Sequence, residues 1–224
     1  MNVKAKRSKP YIGLPMEGGA ARRYAAIRGS GNQLEMYRRQ AAELTGGLAD
    51  GARILEVAPG PGYLAIELAR AGRFEVTGLD ISRTLVEIAT EHARSADVGV
   101  DFRLGDAAAM PFDAASFDLI VTQAAFKNFA HPAEALQEFF RVLTPGGTAV
   151  IQDMQHGATN ADIAAEVQAM ALGPSARVTT RVILLWLRRR AYSRERFERL
   201  VADSPFHTGE IRLAGIEIEV RLSR

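Results

Sequence analysis

Cysteine is absent from the 224 residues. That removes structural disulfides, thiolate zinc sites and a cysteine nucleophile together; it also fits a reducing compartment, so a cytoplasmic protein is expected. Aromatic residues are sparse at 7%, with one tryptophan, and no aromatic-rich basic face of the kind that grips nucleic acid is evident. Long apolar runs are missing too. The most apolar stretch, Val178 to Leu187, contains Arg181 and is too short to cross a bilayer, so no membrane span is expected. The basic N-terminus lacks an apolar segment and does not read as a secretory signal. An excess of one charge is lacking as well. The net charge is +2, and Lys4, Lys6, Arg7 and Lys9 hold four of the 28 positive charges, so without them 24 positives face 26 negatives. The basic character therefore belongs to the tail, which reads as solvated.

What is present is a globular composition, 47% hydrophobic and 24% charged. Residues 1–20 are punctuated by Pro10, Pro15, Gly13, Gly18 and Gly19 and read as irregular. Residues 20–45 read as helix broken near Gly29-Ser30-Gly31. Beyond Gly51 an alternation sets in. Arg53–Ala58, Phe74–Leu79, Val100–Leu104, Phe117–Thr122 and Thr148–Gln152 read as strands; Tyr63–Ala71, Ser82–Ser95 and Pro132–Leu143 read as helices. Strand–helix–strand at this spacing predicts a doubly wound α/β fold, with mostly parallel strands and helices on both faces. Strands this continuously apolar are buried on both sides. After Gln152 three helical segments follow, Asn160–Leu172, Val178–Arg190 and Ser193–Asp203. Two alternating runs, Thr208–Leu213 and Ile216–Leu222, then read as a closing antiparallel hairpin. We expect a single domain over 1–224, its core at about 51–153 and 191–224. Helical cap elements occupy about 10–45 and 157–190.

Ligands of an open parallel sheet bind beyond the carboxyl ends of its strands. The first strand ends in ILEVAPGPGYLAIELA, Ile54 to Ala69, an apolar run that carries a carboxylate at Glu56 and then breaks at Pro59-Gly60-Pro61-Gly62. Burying that carboxylate is costly unless something pairs with it. The loop opens a helix whose first N–H groups suit an anion. Asp80, 24 positions beyond Glu56, ends the second strand and can accept both hydroxyls of a ribose. Asp106, after the third strand, can accept from an adenine amino group, although a turn role also suits it; Asp80 and Ser82 can likewise serve as a helix cap. The spacing Gly60-x-Gly62-x-x-Ala65 also fits a dinucleotide loop. Glu56 argues against that reading, because a pyrophosphate there would be repelled. S-adenosylmethionine brings an ammonium, a carboxylate, a ribose and an adenine, which suits all three acids.

These residues resemble a class I S-adenosylmethionine (SAM)-dependent methyltransferase of the methyltransferase-11-like small-molecule subgroup. LEVAPGPGYLAIELA stands for the nucleotide loop, VTGLDIS for the ribose acid and FRLGDAAAMPF for the adenine side. FDLIVTQAAF and FFRVLTPGGTAVI resemble the family's fourth and fifth strands, and the match covers about Gly51 to Asp153. Two departures stand out: Ala58-Pro59 replaces a common Gly-Cys pair, and Lys127-Asn128 stands where many relatives carry histidine. The resemblance implies a seven-stranded sheet whose last strand is antiparallel. It implies cofactor contacts from Glu56, Ala58, Pro59, Gly60, Gly62, Asp80, Ile81, Ser82, Gly105, Asp106, Ala107 and Gln123, with S-adenosylhomocysteine as product, and no metal.

The implied chemistry is in-line displacement at a sulfonium methyl by an O, N or C nucleophile of a small molecule, in which alignment carries much of the rate. Candidate groups for a base or for orienting the acceptor are His156, Asp153 and Lys127, with His131 placed at a helix start. Tyr11, Tyr24, Tyr63, Phe126 and Phe129 are candidate pocket walls. The alternatives are RNA methylation, a non-catalytic SAM-binding module and an NAD-linked oxidoreductase. No Asn/Asp-Pro-Pro-aromatic sequence follows the fourth strand, and no nucleic-acid partner is expected. The state expected is monomer or homodimer. Arg188-Arg189-Arg190 reads as a solvated helix end or as a contact for an anionic substrate or membrane surface.

Overall fold

The structure, a computed structural model, describes residues 15–29, 31–170 and 172–224. The expectations for the basic tail, Tyr11 and Ser30 lie outside them. The chain runs α1 (Gly18–Arg28), α2 (Gly31–Thr45), β1 (Arg53–Val57), α3 (Tyr63–Ala71), β2 (Glu75–Asp80), α4 (Arg83–Ser95), β3 (Val100–Leu104) and β4 (Phe117–Gln123). It continues with α5 (Pro132–Val142), β5 (Leu143–Met154), α6 (Asn160–Ala169), α7 (Pro174–Arg188), α8 (Arg194–Ala202), β6 (Glu210–Ala214) and β7 (Glu217–Ser223). A 3-10 turn, Phe126–Asn128, follows β4.

The strands form one seven-stranded sheet in the order β3-β2-β1-β4-β5-β7-β6. β1 to β5 are parallel, β7 lies antiparallel against β5, and β6 pairs with the outer edge of β7. The predicted terminal hairpin is therefore present, with its second strand inserted between β5 and its first.

Side chains alternate across the sheet. Ile54, Leu119, Val121 and Val150 pack with Tyr37, Ala41 and Leu44 of α2 and Leu64 and Leu68 of α3. Leu55, Val57, Ile120, Ile151 and Val220 pack on the opposite face with Leu136 and Phe139 of α5 and Phe197 and Val201 of α8. The parity places Glu56 on the α2/α3 face and Asp153 on the α5/α8 face.

Local chemistry fixes several element ends. Ser82 Oγ accepts from Leu85 N at 3.1 Å and starts α4, and Pro132 occupies the first turn of α5. Three boundaries differ from expectation by three residues or more. α6 stops at Ala169, and α7 begins at Pro174, four residues before Val178, because Pro174 supplies a ready helical φ at the first position. β5 begins at Leu143 because Leu143 pairs with Phe117 across a bulge, so the turn-forming residues lie within its span.

Candidate active site

The Pro59–Gly62 loop turns the chain from β1 into α3 through left-handed glycines, Gly60 at φ 56° and Gly62 at φ 80°. Gly62 has a reason beyond its φ: a Cβ there would lie 2.7 Å from Phe102 Cζ and 2.8 Å from Ala89 Cβ. No side chain caps the start of α3. The backbone of Ala65, in the first turn, hydrogen-bonds to Glu56. Glu56 is 3% exposed, and its Oε2 has no hydrogen-bond partner among the described residues. Burial pushes its carboxyl up to about 8; the Ala65 bond opposes that and the charge of Asp80 adds to it. Of the two carboxylate oxygens within β1, one is thus held by the helix start and the other faces no hydrogen-bond donor among the described residues.

Asp80, the last residue of β2, accepts from Gly60 N through Oδ2 at 3.0 Å and from Ser82 N through Oδ1 at 2.8 Å. Burial raises its carboxyl to about 6 against those two bonds. It therefore sets the loop and the start of α4 together. Beside it a cavity of about 80 Å³ is lined by Val57, Ala58, Ile81, Gly105, Asp106, Ala107, Phe129 and His131, among others. Its walls are mostly apolar. Asp106 is exposed at the rim and spends Oδ1 on Ala108 N at 2.9 Å, a turn bond. Gly105 leaves room for Leu79, whose Cδ1 would meet a Cβ at 2.6 Å.

A second cavity, of about 370 Å³, lies beyond the ends of β4 and β5, under α2, α6 and α7. Its lining includes Met36, Gln40, Gln123, Lys127, Gln152, Asp153, Met170, Leu184 and Leu187.

Residues 55–151 match the methyltransferase-11 family, described as a methyltransferase domain. Over that stretch the chain is similar to the family's methyltransferase domain. Two curated relatives are the demethylmenaquinone methyltransferases of Deinococcus radiodurans and Thermus thermophilus. The first is 40% identical over 100 residues, 44% of this chain and 42% of that protein. The second is 40% identical over 116 residues, 51% of this chain and 52% of that protein. The chain thus spans about half the length of the curated relatives it matches. Among solved structures, a SAM-dependent methyltransferase from Aquifex aeolicus shares the fold at TM-score 0.69 and 18% identity, over 89% of this chain and 96% of that one. The [4+2]-cyclase SpnF is 31% identical at TM-score 0.51, over 55% of this chain and 46% of that one.

The sequence-derived candidates fall into groups. Glu56, Ala58, Pro59, Gly60, Gly62, Asp80, Ile81, Ser82, Gly105, Asp106 and Ala107 surround the loop and the smaller cavity. Gln123 faces the larger one. Lys127 and Asp153 come together as an ion pair at the larger cavity. His156 is exposed, with Nδ1 3.1 Å from Arg188 O, and is not among the residues lining either cavity. Of the aromatic candidates, Phe126 is buried among Phe129, Tyr192 and Phe197, and Tyr63 stacks on His92 at 4.9 Å. Tyr24 approaches Gly60, its Cε1 3.4 Å from where a Cβ would stand. Among the described residues no group of three His, Asp or Glu could hold a metal, and no helix is long and apolar enough to cross a membrane.

Three contributions escaped the sequence reading. Gln40 of α2 accepts from Gln123 Nε2 at 2.7 Å and donates to Gln152 Oε1; Gln152 Nε2 in turn donates to Glu219 at 2.8 Å. The amides form a neutral polar floor to the larger cavity. Glu17 accepts from Arg83 N and Thr84 N at 2.9 and 3.0 Å, and Met16 O accepts from Ser82 Oγ at 2.6 Å, so α1 is strapped to the start of α4. His92 Nδ1 lies 2.9 Å from Pro61 O and steadies the loop. Only the pairing across distant segments identifies these residues, and one sequence carries no record of it.

Proposed function

We propose that the chain is a SAM-dependent methyltransferase acting on a small-molecule acceptor. The observation that carries the reading is the buried Glu56 carboxylate with one unpartnered oxygen beside the open start of α3. A buried charge in that position calls for a cation next to an anion, the two ends of an amino acid. Glu56 would hold the ammonium, the first turn of α3 the carboxylate, Asp80 the ribose hydroxyls, and the pocket of Ile81, Ala107 and Phe129, with Asp106 at its rim, the adenine. Bound there, SAM supplies an already activated methyl group.

The chain's own residues align the acceptor. The larger cavity offers the amides of Gln40, Gln123 and Gln152 for a hydroxyl or carbonyl, and the side chains of Met36, Met170, Leu184 and Leu187 for an apolar body. The names of the curated relatives make a quinone-derived ring the first acceptor to try. Lys127 and Asp153 hold each other at the cavity wall and shape it; His156, Asp153 and Lys127 remain the groups to substitute in search of a proton acceptor. We place the enzyme in the cytoplasm, as a monomer or homodimer.

Thermal denaturation with SAM, S-adenosylhomocysteine, NAD and NADP tests the proposal. A rise in Tm with the first two, none with the last two, and its loss in Asp80→Ala are expected. A rise with NAD alone overturns it. The fold hosts a protein named a cyclase, and fold does not fix reaction. S-adenosylhomocysteine release with demethylated quinols is therefore the second arm: binding of SAM without release would leave a SAM-binding module.

A further inference from the structure

α7 buries none of its residues fully. Leu184 and Leu187 lean on Met154, Ile163 and Ala191 and line the larger cavity. Leu185 packs against the same cluster, and the other large apolar side chains of the helix face outward. Val178 is 66% exposed, Val182 60%, Ile183 49% and Trp186 53%. At the helical repeat, Val178, Val182 and Trp186 form one line along the axis, and Ile183 widens it. The same segment is rich in one charge. Between Glu166 and Glu195 there is no acidic residue, while Arg177, Arg181, Arg188, Arg189, Arg190 and Arg194 carry six positive charges. Arg177, Arg181 and Arg189 are exposed and enter no ion pair among the described residues. A chain of net charge +2 thus concentrates arginine beside a line of exposed apolar side chains.

We propose that α7 docks on the surface of an anionic lipid bilayer. A helix of 15 residues is about 22 Å long at about 1.5 Å per residue, too short to span a bilayer but sufficient to lie in its interface. Valine, isoleucine and tryptophan enter the acyl boundary, and arginine pairs with lipid phosphates. A second copy of the chain fits less well. A two-fold contact through α7 would set arginines against arginines with no acid in the helix to offset them. Docking also has a consequence for the larger cavity. The inner side of the same helix lines it, so a docked α7 sets that cavity at the lipid surface, within reach of an acceptor dissolved in the bilayer. The consequence rests on the methyltransferase reading; the docking does not.

Trp186 is the only tryptophan in the chain and reports on this helix alone. Its emission is measured, in the full chain without SAM or acceptor, against vesicles of phosphatidylcholine with and without phosphatidylglycerol. A blue shift and protection from acrylamide are expected with phosphatidylglycerol vesicles, reversed by added salt. Co-sedimentation with the same vesicles should weaken by about tenfold or more in Val178→Ser/Val182→Ser, two exposed positions whose loss of apolar surface spares the core. That variant keeps its Tm and its response to SAM, so failure of docking and failure of the methyltransferase reading are separate results. Unchanged Trp186 emission with anionic vesicles overturns the proposal. A concentration-dependent blue shift without lipid, with dimers in sedimentation, overturns it in favour of a second copy.

Discussion

Lys127 Nζ lies 2.6 Å from Asp153 Oδ1, and the two side chains are 5% and 2% exposed. The pair is fully engaged. Lys127 Nζ also donates to Ala124 O at 2.6 Å; Asp153 Oδ2 accepts from Lys127 N at 2.9 Å, and Oδ1 from Met154 N at 2.7 Å. It joins the end of β5 to the 3-10 turn after β4. Removing one partner strands a buried charge, so Lys127→Ala should lose about 3–5 kcal/mol of stability. Lys127→Met combined with Asp153→Asn removes both charges and keeps one oxygen for the Lys127 and Met154 N–H groups, which the carboxylate serves with separate oxygens, so it should recover part of the loss. Urea unfolding of both variants decides; equal losses in the single and the double variant would refute the argument.

The loop glycines separate by cause. At Gly62 a side chain would collide with Phe102 and Ala89 and sit at φ 80°, so Gly62→Ala should lose about 2–4 kcal/mol. Ala58 is the converse. It sits at φ 59°, a left-handed conformation that suits glycine. Ala58→Gly should raise stability by about 0.5–1 kcal/mol, the strain relieved less the backbone freedom lost. Chemical denaturation of both variants checks the opposite signs.

The strands and helices were legible because each carries its own signal. Apolar runs between Gly/Pro breaks gave β1 to β4, and Pro132 and Ser82 marked helix starts. Glu56 was legible as a candidate because a charge inside an apolar strand has no local explanation. For Asp106 the sequence left a ligand role and a turn role open, and the structure shows the turn bond, one oxygen accepting from Ala108 N. Gly62 was legible as part of the loop, but not the reason it must be glycine, which is Phe102 of β3 packed where a side chain would stand. The Lys127–Asp153 pair and the glutamine floor join residues 26 or more positions apart. Such pairings depend on strand order and register, and a single sequence does not encode them as a local pattern.

The glutamine floor has a separable test. Gln40 reaches Gln123 and Gln152 but touches neither Glu56 nor Asp80 among the hydrogen bonds of the described residues. Gln40→Leu should leave the SAM-induced rise in Tm unchanged and raise KM for the acceptor by roughly tenfold, the effect of one lost polar contact of about 1.5 kcal/mol. Steady-state kinetics with both substrates varied checks this. A loss confined to SAM affinity would move Gln40 to the cofactor side.

Glu56 makes the ligand-free protein sensitive to pH. Its carboxyl titrates near 4.5 when solvated and near about 8 in the fold, where burial favours the neutral form. The stability it contributes is complete below pH 4.5, declines as pH rises and is lost above about 8. Asp80 adds a lower window, from 3.8 to about 6, also through burial. Glu56→Gln should flatten the upper window and leave the lower one, measured as Tm against pH without ligand. A cation at Glu56 reverses the preference, because it binds the ionised form. SAM should therefore bind more tightly as pH rises towards 8, and binding near neutral pH should release a proton. Calorimetry in two buffers of different ionisation enthalpy measures that proton directly. It should vanish in Glu56→Gln together with most of the affinity. Binding with no proton released by the native protein would place the ammonium elsewhere.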